Sequence, residues 1–135
     1  EKAQADLTFC EKALNDFMDS KRRVFPRFYF MSSADLLDVL SNGNSPAKVV
    51  AHFQKFFQAI DIYVLSWPNG PEPARPAATA LVACVGTEQV EFPEPMPFSG
   101  KVEQYLTTVV DTFRHVLRHY SLKALHDFDE AGCLM

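Results

Sequence analysis

The residues whose types and spacing could do chemistry are Asp111, His115 and His119. Spaced four apart, all three can line one helix face, as zinc ligands do. Two features weigh against a metal. Val116 follows His115, so the general-base glutamate of a His-Glu-x-x-His centre is missing, and Arg114 and Arg118 place positive charge beside the site. The competing reading is a set of solvated helix-surface side chains. His52 and His126 have no companions of note. Cys10, Cys84 and Cys133 are odd in number and widely scattered, with no Cys-x-x-Cys spacing. They point to reduced thiols in an intracellular compartment, not to a disulfide framework. There is no Gly-x-x-x-x-Gly-Lys-Ser/Thr loop, no Gly-x-Gly-x-x-Gly turn and no Gly-x-Ser-x-Gly elbow. The expectation is a chain with no catalytic residue, no cofactor-binding residue and no metal ligand.

The elements that would position any such site are readable from the pattern. A chain of 135 residues with 47% hydrophobic and 22% charged residues, 12 of them Phe, is of one-domain size and can fill a core. A net charge of −4 is too mild to argue for nucleic acid or an anionic membrane. The longest tempting apolar segment, Ala77 to Thr87, is about half of the roughly 20 residues that a membrane span needs. The polar start, Glu1 to Ala5, shows no signal-peptide pattern. With no initiator Met, and a helical pattern running on to Met135, the expectation is a piece of a larger polypeptide.

Residues 3–20 read as a helix with Leu7, Cys10, Leu14, Phe17 and Met18 on one face. A second helix is expected from Ser33 to about Leu40, ended by a left-handed cap at Asn42-Gly43-Asn44. Ser45-Pro46 then opens a third, whose buried face carries Val49, Val50, Phe53, Phe56, Phe57 and Ile60. Ile60 to Leu65, Thr79 to Val85 and Glu88 to Phe92 read as strands, the last two joined by a Gly86-Thr87 hairpin. Pro93-Glu94-Pro95-Met96-Pro97 should end the pairing, because alternate prolines cannot donate to a ladder. Ser99 or Gly100 should cap a long helix with Val102, Leu106, Val109, Val110, Phe113, Val116, Leu117 and Tyr120 buried and a break near Ser121. The expected fold is thus mainly α with a small β insert. It divides into a helical part at 1–60, an insert at 61–98 with a Pro-rich loop at 66–78, and a helical part at 99–135. Trp67 in that loop reads equally as a contact residue or as a ring folded back on the strands.

The chain is organised around Lys21 to Leu37. Lys21, Arg22, Arg23 and Arg27 surround Phe25, Pro26, Phe28, Tyr29 and Phe30. Lys21-Arg22-Arg23 suits the negative end of the first helix dipole, with a dedicated binding patch as the alternative. Pro26 favours extended geometry at Phe25, and Phe28-Tyr29-Phe30 reads as strand-like and largely core. Ser32-x-x-Asp35 is a capping-box-like start, in which the Ser32 hydroxyl accepts from the Asp35 amide. The expectation is a fixed junction: a helix, an extended aromatic crossing, and a new helix.

The run from Lys21-Arg22-Arg23-Val24-Phe25-Pro26-Arg27-Phe28-Tyr29-Phe30-Met31-Ser32 to Ser41-Asn42-Gly43-Asn44 closely resembles a segment of dynein heavy chains. That family carries a Lys-Arg-x-x-Phe-Pro-Arg-Phe-Tyr-Phe-x-Ser-x-x-Asp-Leu-Leu signature in its linker region. Ser41-Asn42-Gly43-Asn44 looks most like the axonemal outer-arm chains. Phe98-Ser99-Gly100-Lys101-Val102-Glu103-Gln104-Tyr105-Leu106 resembles the family's Gly-x-Val-Glu-x-Trp-Leu helix start, and Leu117-Arg118-His119 its Leu-Arg-His. Tyr105 stands where the family usually has Trp, and the Pro68 to Pro76 loop looks like a lineage-specific insertion.

The resemblance implies a mechanical element: an interior portion of the helical rod that lies across a ring of AAA+ modules and bends with ATP turnover to drive movement along microtubules. It implies cytoplasmic placement in the axoneme of a cilium or flagellum, with ATP and Mg held in the ring of the parent and not here. Partners would be the neighbouring linker segments and the AAA+ ring of the same heavy chain, other dynein subunits indirectly, and the microtubule through the parent, with no nucleic acid and no membrane. Phe25, Pro26, Phe28, Tyr29, Phe30, Ser32 and Asp35 would form the structural junction. Arg22, Arg23 and Arg27 would contact nearby carbonyl ends or acidic surface on the ring. Two further readings stand beside this one: a stand-alone helical interaction module, and a small metal enzyme built on Asp111, His115 and His119.

Overall fold

In the computed structural model, residues 1–64 and 77–132 are described. The expected loop at 66–78, including Trp67, falls almost wholly outside them, as does Cys133. The chain is mainly helical with one small sheet. Helix α1 spans Lys2–Val24 and is followed by a 3-10 turn at Pro26–Phe30. Helices α2 (Ser33–Ser41), α3 (Pro46–Val50) and α4 (Phe53–Phe56) precede strands β1 (Ile60–Val64), β2 (Ala77–Ala83) and β3 (Gln89–Pro97). Helix α5 (Val102–Glu130) completes the described chain.

The sheet is antiparallel in the order β1-β2-β3. Central β2 carries small buried residues, Ala77, Ala78 and Ala80, that allow close approach from its neighbours. Ala83 N–H donates to the Glu88 carbonyl at 3.0 Å, closing the turn before β3, and Gly86 supplies the positive φ of 100° there. Pairing does not stop at Phe92, as the prolines suggested. Glu91 lies opposite Ala80, and pairing resumes with Met96 opposite Ala78 and Pro97 opposite Ala77. Pro93 and Pro95 fall in the bulge between these two paired stretches, on a strand at the sheet edge, where a missing N–H costs no ladder bond.

One hydrophobic cluster holds the elements together. Phe28, Leu36, Val39, Val49, Phe53, Phe98, Leu106 and Val109 are all fully buried in it. Phe113 stands between Phe57, 5.1 Å away, and Phe92, 6.4 Å away, so one ring ties α5 to both the helical part and the sheet. Tyr120 extends that attachment by donating its hydroxyl hydrogen to the Glu91 carbonyl at 2.9 Å.

Several local expectations are corrected. The third helix is two short helices with a bend at Ala51-His52, and the Ser45 side chain makes no capping bond. The α2 end is not left-handed: Asn42 has φ −100°, and Gly43 is not among the positive-φ glycines. Gly43 answers instead to close packing, because a Cβ there would sit 3.3 Å from Val102 Cβ. Its carbonyl also accepts from the Tyr105 hydroxyl at 3.0 Å. Helix α5 is capped at Lys101, not Ser99 or Gly100, where Gln104 Oε1 accepts the Lys101 N–H at 3.0 Å. No break occurs near Ser121. Its hydroxyl donates back to the Leu117 carbonyl at 2.7 Å and the helix runs on.

Burial corrects the helix faces too. Of the apolar face read on α1, only Met18 is covered, while Leu7, Cys10, Leu14 and Phe17 are exposed. The α5 stripe is covered from Val102 to Val116, with Val110 half-buried, but Leu117 and Tyr120, expected to be buried, are exposed, as are Leu122, Leu125 and Phe128. Each long helix therefore packs over part of its length and leaves apolar surface on the rest.

Candidate functional site

The junction between α1 and α2 is built from the residues singled out in the sequence, with a different geometry. Phe25 is extended at φ −128°, ψ 91°, as the following proline dictates. Pro26 then occupies the first position of the 3-10 turn, where its missing N–H leaves no intrahelical bond unmade. Phe28 N–H donates to the Phe25 carbonyl at 3.0 Å, and Met31 N–H to the Phe28 carbonyl at 3.2 Å. Phe28-Tyr29-Phe30 is thus a turn and not a strand. The period explains it: a strand would place Phe28 and Phe30 on one face, whereas three residues per turn stack Phe28 beneath Phe25.

The burial follows that period. Phe25 and Phe28 are in the core, Phe28 with no exposed surface, while Tyr29 keeps 62% and Phe30 71% of theirs. The reading of all three consecutive aromatics as core is therefore corrected for Tyr29 and Phe30. Inside, Phe28 meets Phe25 edge-on at 4.9 Å, and both meet Phe56 edge-on at 6.5 and 6.1 Å. Phe53 and Phe57 close the group at 5.2 and 5.5 Å separations among themselves and Phe56. Edge-to-face rings of this kind hold a defined mutual orientation.

The next helix starts on Ser32. Its Oγ accepts from the Asp35 N–H at 3.2 Å, and the hydroxyl donates to Asp35 Oδ2 at 2.9 Å. Asp35 also pairs with Lys55 at 2.6 Å. The Lys55 ammonium, and then the Ser32 hydroxyl, hold the Asp35 carboxyl below its ordinary value. Alongside, His52 Nε2 lies 2.7 Å from Asp38 Oδ2, so two residues of α2 are tied to the α3–α4 segment.

Two of the three junction arginines are committed inside the molecule. Arg27 donates to the Phe56 carbonyl at 3.0 Å and lies over the Phe57 ring at 4.8 Å. Arg22 pairs with Asp19 at 3.0 Å and reaches Ser33 Oγ at 3.3 Å. Arg23 is exposed, with no ion pair among the described residues. The fourth cation, Lys21, pairs with Glu103 at 2.7 Å across 82 residues of sequence. Burial pushes the Glu103 carboxyl up, but the hydrogen bond from Lys21, a backbone bond and the Lys21 and Lys101 charges outweigh it and leave the group lowered.

Local sequence patterns did not reveal Lys21–Glu103, Asp38–His52 or Tyr105–Gly43, because each joins residues from different elements. Glu103 stands in the first turn of α5, where a carboxylate suits the helix dipole, and nothing local pairs it with Lys21.

Asp111, His115 and His119 are all exposed, and Asp111 faces Arg114 at 3.5 Å. The open groove of about 600 Å³ between Pro93–Pro97 and α5 takes Asp111 and His115 into its wall but not His119. Among the described residues, the grouping at metal-ligand separation is instead His126, Asp127 and Glu130, all fully at the surface. No described helix is long and apolar enough to cross a membrane.

Comparison with known proteins is consistent over nearly the whole chain. The family model described as "Dynein heavy chain, N-terminal region 2" matches residues 1–124. The chain is 46% identical over 128 residues to the dynein alpha chain of the flagellar outer arm of Chlamydomonas reinhardtii, covering 95% of this chain and 3% of that protein. It is 41% identical over 130 residues to the beta chain of the same arm, covering 96% and 3%. Against human dynein axonemal heavy chain 9 it is 38% identical over 131 residues, again 96% of this chain and 3% of the relative. The chain therefore spans about 3% of the length of the relatives it matches. The chain belongs to the dynein heavy chain family and corresponds to its N-terminal region 2.

Proposed function

We propose that this chain is a non-catalytic mechanical segment of the linker of an axonemal dynein heavy chain. It would transmit ATP-driven changes of the AAA+ ring into the stroke along microtubules in a cilium or flagellum. The observation that carries the reading is the junction: α1 meets the α2–α4 segment through interlocked rings of Phe25, Phe28, Phe53, Phe56 and Phe57. A joint of packed rings transmits force because cores shift between discrete arrangements and do not deform smoothly. The apolar surface left bare on α1 and on the second half of α5 suits a piece of a longer rod, with neighbouring segments covering both.

On this reading ATP and Mg are bound by the parent's ring and no cofactor by this segment. Its contacts are the flanking linker segments and the AAA+ ring, with other dynein subunits and the microtubule reached only through the whole chain.

The test is a change that loosens the joint without touching nucleotide. Arg27→Ala removes both the Phe56 carbonyl bond and the stacking on Phe57. In the full-length motor, gliding velocity should fall while basal ATP turnover is kept. Unchanged gliding, or velocity and turnover lost together, would count against a transmitting role.

A further inference from the structure

Strand β3 and helix α5 enclose two open grooves that lie end to end. One, of about 600 Å³, runs between Pro93–Pro97 and the stretch of α5 from Thr108 to Val116. The other, of about 720 Å³, runs between Glu88–Glu91 and α5 from Leu117 to Ala124. Strand β3 has β2 on one side only, and the Tyr120 hydroxyl bond to the Glu91 carbonyl joins α5 to its open edge. From Thr108 to Ala124 the channel is about 24 Å long at 1.5 Å per residue, room for roughly seven residues of extended chain.

The walls of this channel are chemically one-sided. Glu88, Glu91, Glu94 and Asp111 line it, all of them exposed, and among the described residues no lysine or arginine does. The three glutamates form no ion pair among the described residues, and Asp111 has Arg114 alone, at 3.5 Å between two largely exposed side chains. Pro93, Pro95 and Pro97 add carbonyls without N–H groups. The lining is thus richer in acceptors than in donors, with His115 as the titratable base in the wall. Lysine and arginine side chains only donate, and arginine presents five N–H groups in a fixed fork. Exposed Leu117 and half-buried Val90 supply apolar surface between the carboxylates, along which the stems of such side chains can lie.

We propose that this channel binds an extended basic segment of a separate polypeptide, with arginine or lysine at intervals and apolar residues between. Charge sets the sign of the partner and also its source. Permanent contacts resemble a divided core, from which charged residues are depleted. Surface of that kind is present elsewhere, on α1 and at the far end of α5. A wall of carboxylates suits a partner that comes and goes, drawn in by its charge and released by salt. The inference goes beyond the transmitting role proposed above and does not depend on it.

The experiment mixes the full-length heavy chain with a peptide of about seven residues, alternating arginine and leucine, that carries a benzophenone at its centre. On irradiation, crosslinks should map to residues 88–97 or 108–124, and the same peptide with glutamate in place of arginine should give none there. Glu88→Gln with Glu91→Gln and Glu94→Gln should lower the yield at the channel about tenfold, as should raising salt from about 50 mM to about 500 mM. Basal ATP turnover kept by the triple variant reports that its chain is folded. Crosslinks that fall elsewhere on the heavy chain, a glutamate peptide that crosslinks equally well, or an undiminished yield in the folded variant would overturn the proposal. So would the absence of any crosslink, the result expected if another part of the heavy chain fills the channel.

Discussion

Phe28→Ala is the sharpest perturbation of the junction. The Phe28 ring is fully buried, edge-on to Phe25 at 4.9 Å and to Phe56 at 6.5 Å. Returning a ring of about 150 Å² to water forfeits roughly 3–4 kcal/mol at 25 cal/mol per Å². The cavity left between Phe25 and Phe56 keeps the total in the range of about 3–5 kcal/mol. Tyr29→Ala and Phe30→Ala, one and two positions away, remove exposed rings and should each cost less than about 1 kcal/mol. Urea unfolding followed by circular dichroism measures all three variants on one scale, and the slope should stay constant while the midpoint moves. The contrast is the test, because composition and neighbourhood are nearly identical. Similar losses at all three positions, or a larger loss at Phe30 than at Phe28, would refute the three-residue period of the turn and the buried joint with it.

Other consequences can be measured in the same way. Gly43→Ala sets a methyl group 3.3 Å from Val102 Cβ and strains the Tyr105 contact, so it should cost about 1–3 kcal/mol in urea unfolding. A neutral result would mean that α5 does not press on the α2 end. Lys21→Met leaves the buried Glu103 carboxylate without its partner and should destabilise by about 1–3 kcal/mol, recovered in part by adding Glu103→Gln. Losses that simply add in the double variant would argue against the pair. Asp35 and Glu103 both titrate below their ordinary values when folded, so the unfolded chain takes up protons first as pH falls. Stability should be level near neutrality and decline from about pH 5 downward, less steeply in Asp35→Asn with Glu103→Gln. A urea midpoint constant from pH 7 to pH 3 would contradict this linkage.

The fold class was legible because it rests on local pattern: 3.6-residue periodicity in α2 and α5, β-branched and small residues in the strands, and the Ser32 cap. What was misread depends on partners that no local window contains. Phe28-Tyr29-Phe30 satisfies strand propensity, and only the demand that Phe28 stack with Phe25 against Phe56 selects a turn. Alternate prolines argue against central pairing, but β3 lies at an edge and bulges around them, so the rule is respected by position. Gly43 looked like a left-handed cap, but the approach of Val102 accounts for it. The periodicity of α1 correctly marks an apolar stripe, yet a stripe says only that a face is to be covered and not by what. Of the junction, Ser32 with Asp35 was readable in advance, and a nearby carbonyl end was one of the two partners expected of Arg27, whereas the Arg22 links to Asp19 and Ser33 were not.

Helix α5 has the geometry of a beam clamped at one end. Its buried length, Val102 to Val116, and its overhang, Leu117 to Glu130, are each roughly 20 Å at 1.5 Å per residue. A sideways slip of 1 Å at the mouth of the clamp, pivoting about Val102, would move the free tip by about 2 Å. The Tyr120 bond to Glu91 lies just beyond that mouth, where a single contact most restricts such play. The amplitude reaching the tip of α5 is then governed by how tightly Phe113 is wedged between Phe57 and Phe92, so the gain of the element is set by ring packing more than 14 residues from its end.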